Sequence, residues 1–416
     1  MLPPEYRAPS IRPFAVVIAC VVVSIFVAAL CKPTYPTTTN IAFIGNSIQY
    51  YNDFPRLMEA FGEGRIYQNA CLRGSADFTT MLTKGSGTFN LFHNGQASID
   101  DDFGMSFSEQ VSASADDDDG GVDYLFDFGA CSVYQLLLGY DYRLEEYLYV
   151  NETGDDIDID EGSMMTNDGK NACFQVPRYL DYLNSRYEAF GPPKWDYVVM
   201  NDNSRFPCCT EQRQLSLQTL NDTYIPLFLE TGVTPVFMYT HSYWADERDM
   251  SALTDVPTFA SLTYVGYKEY VDLVASQLPR NQKPLLAPVG LATLTVWEEN
   301  YSLWEEFFHY DQVHLSPLGT FLEACIVYAT IFGKMPPPSV VTTRPDKLYS
   351  DARRMVPPES KFRGYPTEDQ MNYVYIVAKR VMNGHIPKSL TVYQNSESVD
   401  FVPTDSQYYK ASYGGE

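Results

Sequence analysis

The sequence predicts an α/β protein: a three-layer α/β/α sandwich around a mainly parallel sheet of about five strands, preceded by one N-terminal apolar segment. Three observations predict it. Five short apolar runs bounded by turn residues recur along the chain, amphipathic segments of helical period separate several of them, and an uncharged stretch at 14–30 stands apart from both. Strands that are apolar on consecutive positions suit a sheet covered on both faces.

The first element is that stretch, FAVVIACVVVSIFVAAL, flanked by Arg7, Arg12 and Lys32. Its 17 residues lie at the short end of a bilayer-spanning helix, roughly 17 to 25 residues, and beyond a signal-peptide core of about 7 to 15. A transmembrane anchor and a signal segment both stay open. The long N-terminal flank and the lack of a small-x-small site favour the anchor. Basic residues on the N-terminal side orient the remainder to the lumen or the cell exterior. Sequons at Asn151, Asn221 and Asn300 all fall on that side and are candidate glycosylation sites. Of the eight cysteines, Cys20 and Cys31 belong to the apolar run and its edge. Cys71, Cys131, Cys173, Cys208, Cys209 and Cys325 are expected to include disulfides, with Cys208 and Cys209 reaching different partners.

Strands are expected at 40–45 (NIAFIG), 65–72 (RIYQNACL), 196–201 (DYVVMN), 234–240 (TPVFMYT) and 284–290 (PLLAPVG). Helices are expected at 53–62, 212–232, 264–278, 316–333 and 367–382. About 120 residues separate the second strand from the third, far more than a crossover requires, so an insertion is expected at about 96–180. It contains the acidic loops ADDDDGG and ETGDDIDIDEG. The second carries Asp156, Asp158 and Asp160 at alternate positions but has Asn167 where a calcium loop needs glutamate, so no metal is expected. The domain layout is then a flank at 1–13, the anchor or signal segment at 14–30, a linker at 31–39, one catalytic-type domain at 40–382 and a tail at 383–416.

With 53 acidic residues against 29 basic ones, the net charge is −24, which repels nucleic acid at long range and excludes it as a partner. Nucleophilic hydrolysis needs a hydroxyl, a base, a carboxylate that orients the base, and donors for an oxyanion. Ser47 follows the first strand, with Gly45 before it to permit a tight turn; as a residue type it also suits a helix cap. His314 follows Asp311 in YDQVHLSPLG, ahead of a helix whose cap and first position fall on Ser316 and Pro317. Asn201 and Asn203 end the third strand and Gly74 ends the second, where their N–H groups reach the same loop face. His241 and His309 approach that face as structural or substrate-contacting residues.

In this order the blocks FIGNSIQYYNDFP, Gly74, NDNS and DQVHLSPLGTFLEACIVYATIFG resemble the SGNH, or GDSL-type, hydrolase superfamily. The asparagine before Ser47 matches its branch with GNS in the first block. The resemblance covers about residues 40–95 and 190–382 and leaves the insertion unmatched. It implies a flavodoxin-like sheet and the SGNH hydrolase fold, with Ser47 as nucleophile, His314 as base and Asp311 as its partner. It also implies an oxyanion hole from Ser47, Gly74 and Asn203, with Asn203 preferred over Asn201. The expected activity is hydrolysis of acyl or acetyl esters, including esters on glycans, through an acyl-enzyme on Ser47 and without a cofactor. An O-acyltransferase using the same site and a non-catalytic binding module on the same scaffold are the alternatives. The expected partners are an ester substrate and, through the N-terminal segment, a membrane; the oligomeric state cannot be read.

Overall fold

The five apolar runs form five strands: β1 (Thr39–Gly45), β2 (Ile66–Leu72), β3 (Tyr197–Met200), β4 (Thr234–Met238) and β5 (Leu285–Ala287). All neighbours pair in parallel in the order β2-β1-β3-β4-β5. This is the flavodoxin-like arrangement, whose order reverses between β1 and β3 and leaves a crevice at their carboxyl ends. The computed structural model describes residues 38–85, 132–138, 194–243, 253, 255–344, 348 and 364–390. The apolar run at 14–30, the acidic loops, Asn151, Cys131, Cys173, most of the expected insertion and the tail beyond 390 lie outside the described residues.

The register shows why the central strand positions are apolar. Phe43 lies opposite Val199, which lies opposite Val236; one step along, Ile44, Met200 and Phe237 form the next row. Consecutive side chains point to opposite faces. Phe43 meets Phe54 edge-on at 5.5 Å, whereas Phe237 meets Phe78 and Tyr270, each at 6.3 Å. Both faces are therefore covered by helices, which gives the three layers.

The helices are α1 (Ser47–Tyr50), α2 (Phe54–Phe61), α3 (Phe78–Lys84), α4 (Val133–Leu138), α5 (Thr210–Thr219), α6 (Ile225–Thr231), α7 (Val256–Gln277), α8 (Val289–Glu299), α9 (Tyr301–Glu305), α10 (Pro317–Phe332), α11 (Ser339–Thr342) and α12 (Glu368–Met382). On the Phe54 side α2 packs on α10, which also meets α8 and α12; on the Phe78 side α3, α5 and α7 pack together. A capping box between Thr367 and Gln370 starts α12.

Several elements depart from the sequence-based expectation for identifiable reasons. The helix expected at 212–232 divides at a π turn over Leu220–Tyr224, directly before Pro226, which has no N–H for the helical ladder. The helix expected from 264 begins at Val256, because Asp255 caps it by accepting from Thr258 N. The strand expected to reach residue 290 stops at Ala287, and Val289 already begins α8. Within the stretch read as an insertion, α4 packs on β1 and β2, and Leu136 O accepts a 2.6 Å hydrogen bond from Trp195 Nε1. Part of that stretch thus belongs to the core. Cys208 and Cys325 are buried thiols outside any disulfide; the Cys208 Sγ lies 2.9 Å from Thr263 Oγ1. Among the described residues no helix is long and apolar enough to cross a membrane.

Candidate active site

The turn after β1 is built around a glycine with no room for a side chain. A Cβ on Gly45 would sit 2.0 Å from Asn201 Oδ1 and 2.8 Å from Gln49 Nε2. The next residue, Asn46, caps α1: its Oδ1 accepts from Ile48 N at 3.2 Å. Asn46, not Ser47, therefore does the capping, and the Ser47 hydroxyl has no part in it. Asn46 Nδ2 donates to Ala76 O and to Asp202 O, both at 2.9 Å, so one side chain joins the loops after β1, β2 and β3.

At the end of β3, Asn201 is fully committed. Its Nδ2 donates to Asn46 Oδ1 and Asp202 O, each at 2.9 Å, and its Oδ1 accepts from Gln49 Nε2 at 2.8 Å. Both of its amide hydrogens are used, so it has no donor left for an oxyanion. Asn203 differs: its Oδ1 accepts from Arg205 N, and its Nδ2 spends one hydrogen on Ser75 O at 2.9 Å, leaving the second hydrogen available. That bond also fixes the loop carrying Gly74. Asp202 lies beneath them, wholly buried. Its carboxylate accepts from Ser216 Oγ at 2.6 Å, Tyr270 OH and Asn203 N at 2.8 Å, and Phe78 N at 3.3 Å. Burial pushes its pKa up to about 7, against the opposing effect of the hydroxyl and amide donors.

Asp311 and His314 occupy a tight loop closed by backbone bonds from His309 N to His314 O and from Ser316 N to Phe307 O. His314 Nδ1 donates to Asp311 Oδ2 at 2.9 Å, while Asp311 Oδ1 accepts from the backbone N–H of Val313 and His314. Burial alone would raise the Asp311 pKa; the hydrogen bond and charge of His314 and the two backbone donors override it and hold the group down at about 2. Behind the loop, His241 Nε2–H donates to Val313 O at 3.0 Å. Burial lowers the His241 pKa to about 4, so this imidazole is neutral and structural. Ser316 stands at the cap of α10 with Pro317 after it, but its hydroxyl donates to Glu306 O instead.

Two residues of the Ser47 turn bring this loop alongside it. Asn52 Nδ2 donates to Leu315 O at 2.8 Å and Thr320 Oγ1 at 2.9 Å, and its Oδ1 accepts from His309 Nε2 at 3.3 Å. Tyr51, whose N–H bonds Ser47 O, lays its ring face to face on the His314 imidazole, with centroids 3.8 Å apart. Among the described residues no hydrogen bond joins Ser47 Oγ to His314. Left-handed backbone occurs in the Ser47 turn at Asn52 (φ 54) and Asp53 (φ 51), beside Gly74 at Ser75 (φ 56), and in the His314 loop at Gln312 (φ 62). Such conformations carry strain and concentrate at functional sites.

The structure thus gathers Ser47, Gly74, Asn203, Asp311 and His314 at the carboxyl edge of the sheet, and withdraws Asn201 into a support role. Gln49, Tyr51, Asn52 and Asp202 carry no sequence signal as site residues, apart from Asn52 and Asp53 being residue types that tolerate left-handed backbone. Among the described residues no group of three or more histidine, cysteine or acidic side chains is placed to hold a metal ion. The candidate glycosylation residues Asn221 and Asn300 are exposed.

No protein-family model matches the chain, and no curated protein matches it. A solved structure of a DUF4886 family protein from Bacteroides uniformis is similar to it, with a TM-score of 0.38 and 12% identity over 78% of this chain and 97% of that one. A likeness of that degree carries no argument about activity.

Proposed function

We propose that the protein is a serine ester hydrolase of the SGNH type, cleaving acyl or acetyl esters, including those carried by glycans. The observation that carries this reading is the Asp311–His314 pair, bonded at 2.9 Å through Nδ1 and set against the Ser47 turn by Tyr51 and Asn52. Asp311 fixes the tautomer that leaves Nε2 as the acceptor. As Ser47 Oγ attacks the ester carbonyl carbon, its proton passes to His314 Nε2 and the carbonyl electron pair moves onto oxygen. The N–H groups of Ser47 and Gly74 and the second amide hydrogen of Asn203 receive that oxygen. His314 then gives the proton to the leaving alcohol, and in the second half it activates the water that releases the acid from Ser47. A sugar hydroxyl in place of water makes the same site an O-acyltransferase.

The absence of a Ser47–His314 hydrogen bond favours a second reading, a binding module on an SGNH scaffold, although such bonds are often loose until substrate arrives. The reading extends to location. The basic flank and apolar run at 14–30 anchor the chain in a membrane or direct its secretion, with the sheet domain on the lumenal or outer side and Asn221 and Asn300 open to glycosylation.

One experiment tests the activity. The purified full chain, given a short-chain nitrophenyl ester, is expected to turn it over, and Ser47→Ala is expected to lose at least about a thousandfold in kcat/KM while melting at the parent temperature. Equal rates in parent and variant sink the mechanism. A folded parent that a fluorophosphonate probe leaves unlabelled at Ser47 supports the binding module instead.

A further inference from the structure

We propose that Tyr51 is a positioning residue for His314, holding the plane of its imidazole and stabilising that ring when it carries the proton of Ser47. The inference rests on the catalytic reading of Ser47 and His314 given above.

The geometry is that of a built contact. The Tyr51 and His314 rings are 7° from parallel with centroids 3.8 Å apart, and Tyr50 backs Tyr51 from 5.4 Å at 22°. Tyr51 is 4% exposed, so its ring is held by packing on all sides. Its backbone is fixed at both ends, by its own N–H on Ser47 O and by the left-handed Asn52, whose amide is bonded into the α10 loop at Leu315 O and Thr320 Oγ1. The chain segment that carries the nucleophile therefore also carries the plate on which the base rests.

The plate and the carboxylate constrain different motions. Asp311, hydrogen-bonded to Nδ1 at 2.9 Å, limits the rotation that would break that bond. Tyr51, against its face, limits tilt and removes the rotamers that would swing Nε2 away. Two such constraints leave Nε2 one direction of approach.

The stack also favours one charge state over the other. Two neutral aromatic faces laid parallel present like quadrupoles to each other, an arrangement that aromatic pairs otherwise avoid. A cation over the face of tyrosine is attracted to it. When the Ser47 O–H bond breaks and its proton binds Nε2, the Oγ–carbon bond forms and the imidazole becomes a cation directly above the ring. The contact is thus stronger in the transition state than in the resting site, which is the condition for acceleration.

Three variants and two readouts test this. Tyr51→Phe keeps the ring; Tyr51→Leu and Tyr51→Met remove it, the second filling more of its volume should the first melt early. The rate of fluorophosphonate labelling at Ser47 and kcat/KM for the nitrophenyl ester are expected to fall by roughly 3- to 30-fold in the leucine and methionine variants and to stay within about twofold in the phenylalanine one. Independently of turnover, the ring protons of His314 are expected upfield in the NMR spectrum of the parent and of Tyr51→Phe, assigned by their loss in His314→Gln, and to move downfield without the aromatic ring. Labelling as fast without the ring as with it overturns the proposal alone, as does a phenylalanine variant as slow as the leucine one. A parent that neither labels nor hydrolyses overturns the catalytic reading, and the proposal with it.

Discussion

Asn52 Nδ2 donates to the carbonyl of Leu315 at 2.8 Å, joining residues 263 positions apart. Through this bond, and those to Thr320 Oγ1 and from His309 Nε2, the turn of Ser47 grips the loop of His314. Replacing Asn52 by alanine strands buried donors and acceptors and leaves a side chain at φ 54 that tolerates that backbone poorly. The expected loss is about 2–4 kcal/mol in denaturant unfolding, with a parallel loss of the proposed esterase activity. Asn52→Gly loses the same bonds but relieves the backbone, so it should be less destabilised than alanine. Equal stability of parent and Asn52→Ala would remove Asn52 from its role.

The Asp311 carboxyl, held down at about 2 from an ordinary 3.8, makes a prediction about acid. A carboxyl whose folded pKa is depressed contributes stability that is complete above the unfolded value and is lost as pH falls through the folded one. The window is therefore from about pH 4 down to about pH 2. The shift corresponds to about 2 kcal/mol, reduced to roughly 1 kcal/mol by solvent screening of a carboxylate that is partly exposed. The difference in unfolding free energy between the parent and Asp311→Asn is expected to shrink over that window; a constant difference contradicts the assignment.

What could be read in advance follows from how local each signal is. The five strands were legible because burial on both faces makes most of their positions apolar, and Asp311–His314 because three positions separate them. Tyr51 and Asn52 act on residues more than 250 positions away and leave no local pattern. Helix α8 escaped because it is buried almost all round over Val289–Val296, which erases the periodicity of an amphipathic helix. Helix α4 escaped because the acidic loops around it dominate the composition of its stretch.

Asp202 titrates in the opposite sense. Burial raises its folded pKa to about 7 from 3.8, so between about pH 4 and pH 7 the folded chain holds a proton that the unfolded chain has released. Stability then falls as pH rises across that interval. Asp202→Asn, which cannot ionise, is expected to flatten this slope in unfolding measurements at pH 4, 5.5 and 7, and a slope unchanged by the substitution refutes the assignment. Because Asp202 accepts from Asn203 N at 2.8 Å, the variant should also slow the proposed ester hydrolysis through the Asn203 donor.

Gly45 is required by its neighbour. With a Cβ directed at Asn201 Oδ1 only 2.0 Å away, Gly45→Ala must displace Asn201, and with it the bonds to Asn46 and Gln49. Overpacking of this kind costs about 1–3 kcal/mol. Because Asn46 caps α1, the displacement reaches Ser47, and activity should fall by more than the fraction unfolded accounts for. A fully active, equally stable Gly45→Ala would show that the loop moves freely.

Glu323 offers a change in the stabilising direction. It lies wholly buried in α10, neither carboxylate oxygen has a hydrogen-bond partner among the described residues, and burial raises its pKa well above the ordinary value. A carboxyl kept neutral in an apolar site forgoes the hydrogen bonds it makes to water when unfolded, a penalty of about 1–3 kcal/mol per polar group. One turn along on the same helix face, Ile326 and Val327 are buried, so a leucine at 323 meets apolar neighbours there. Glu323→Leu is expected to raise the unfolding free energy at pH 7 by roughly 1–3 kcal/mol, with less gain at pH 4, where the unfolded carboxyl also holds its proton. A destabilised Glu323→Leu would mean that the carboxyl has a partner that the folded core keeps for it.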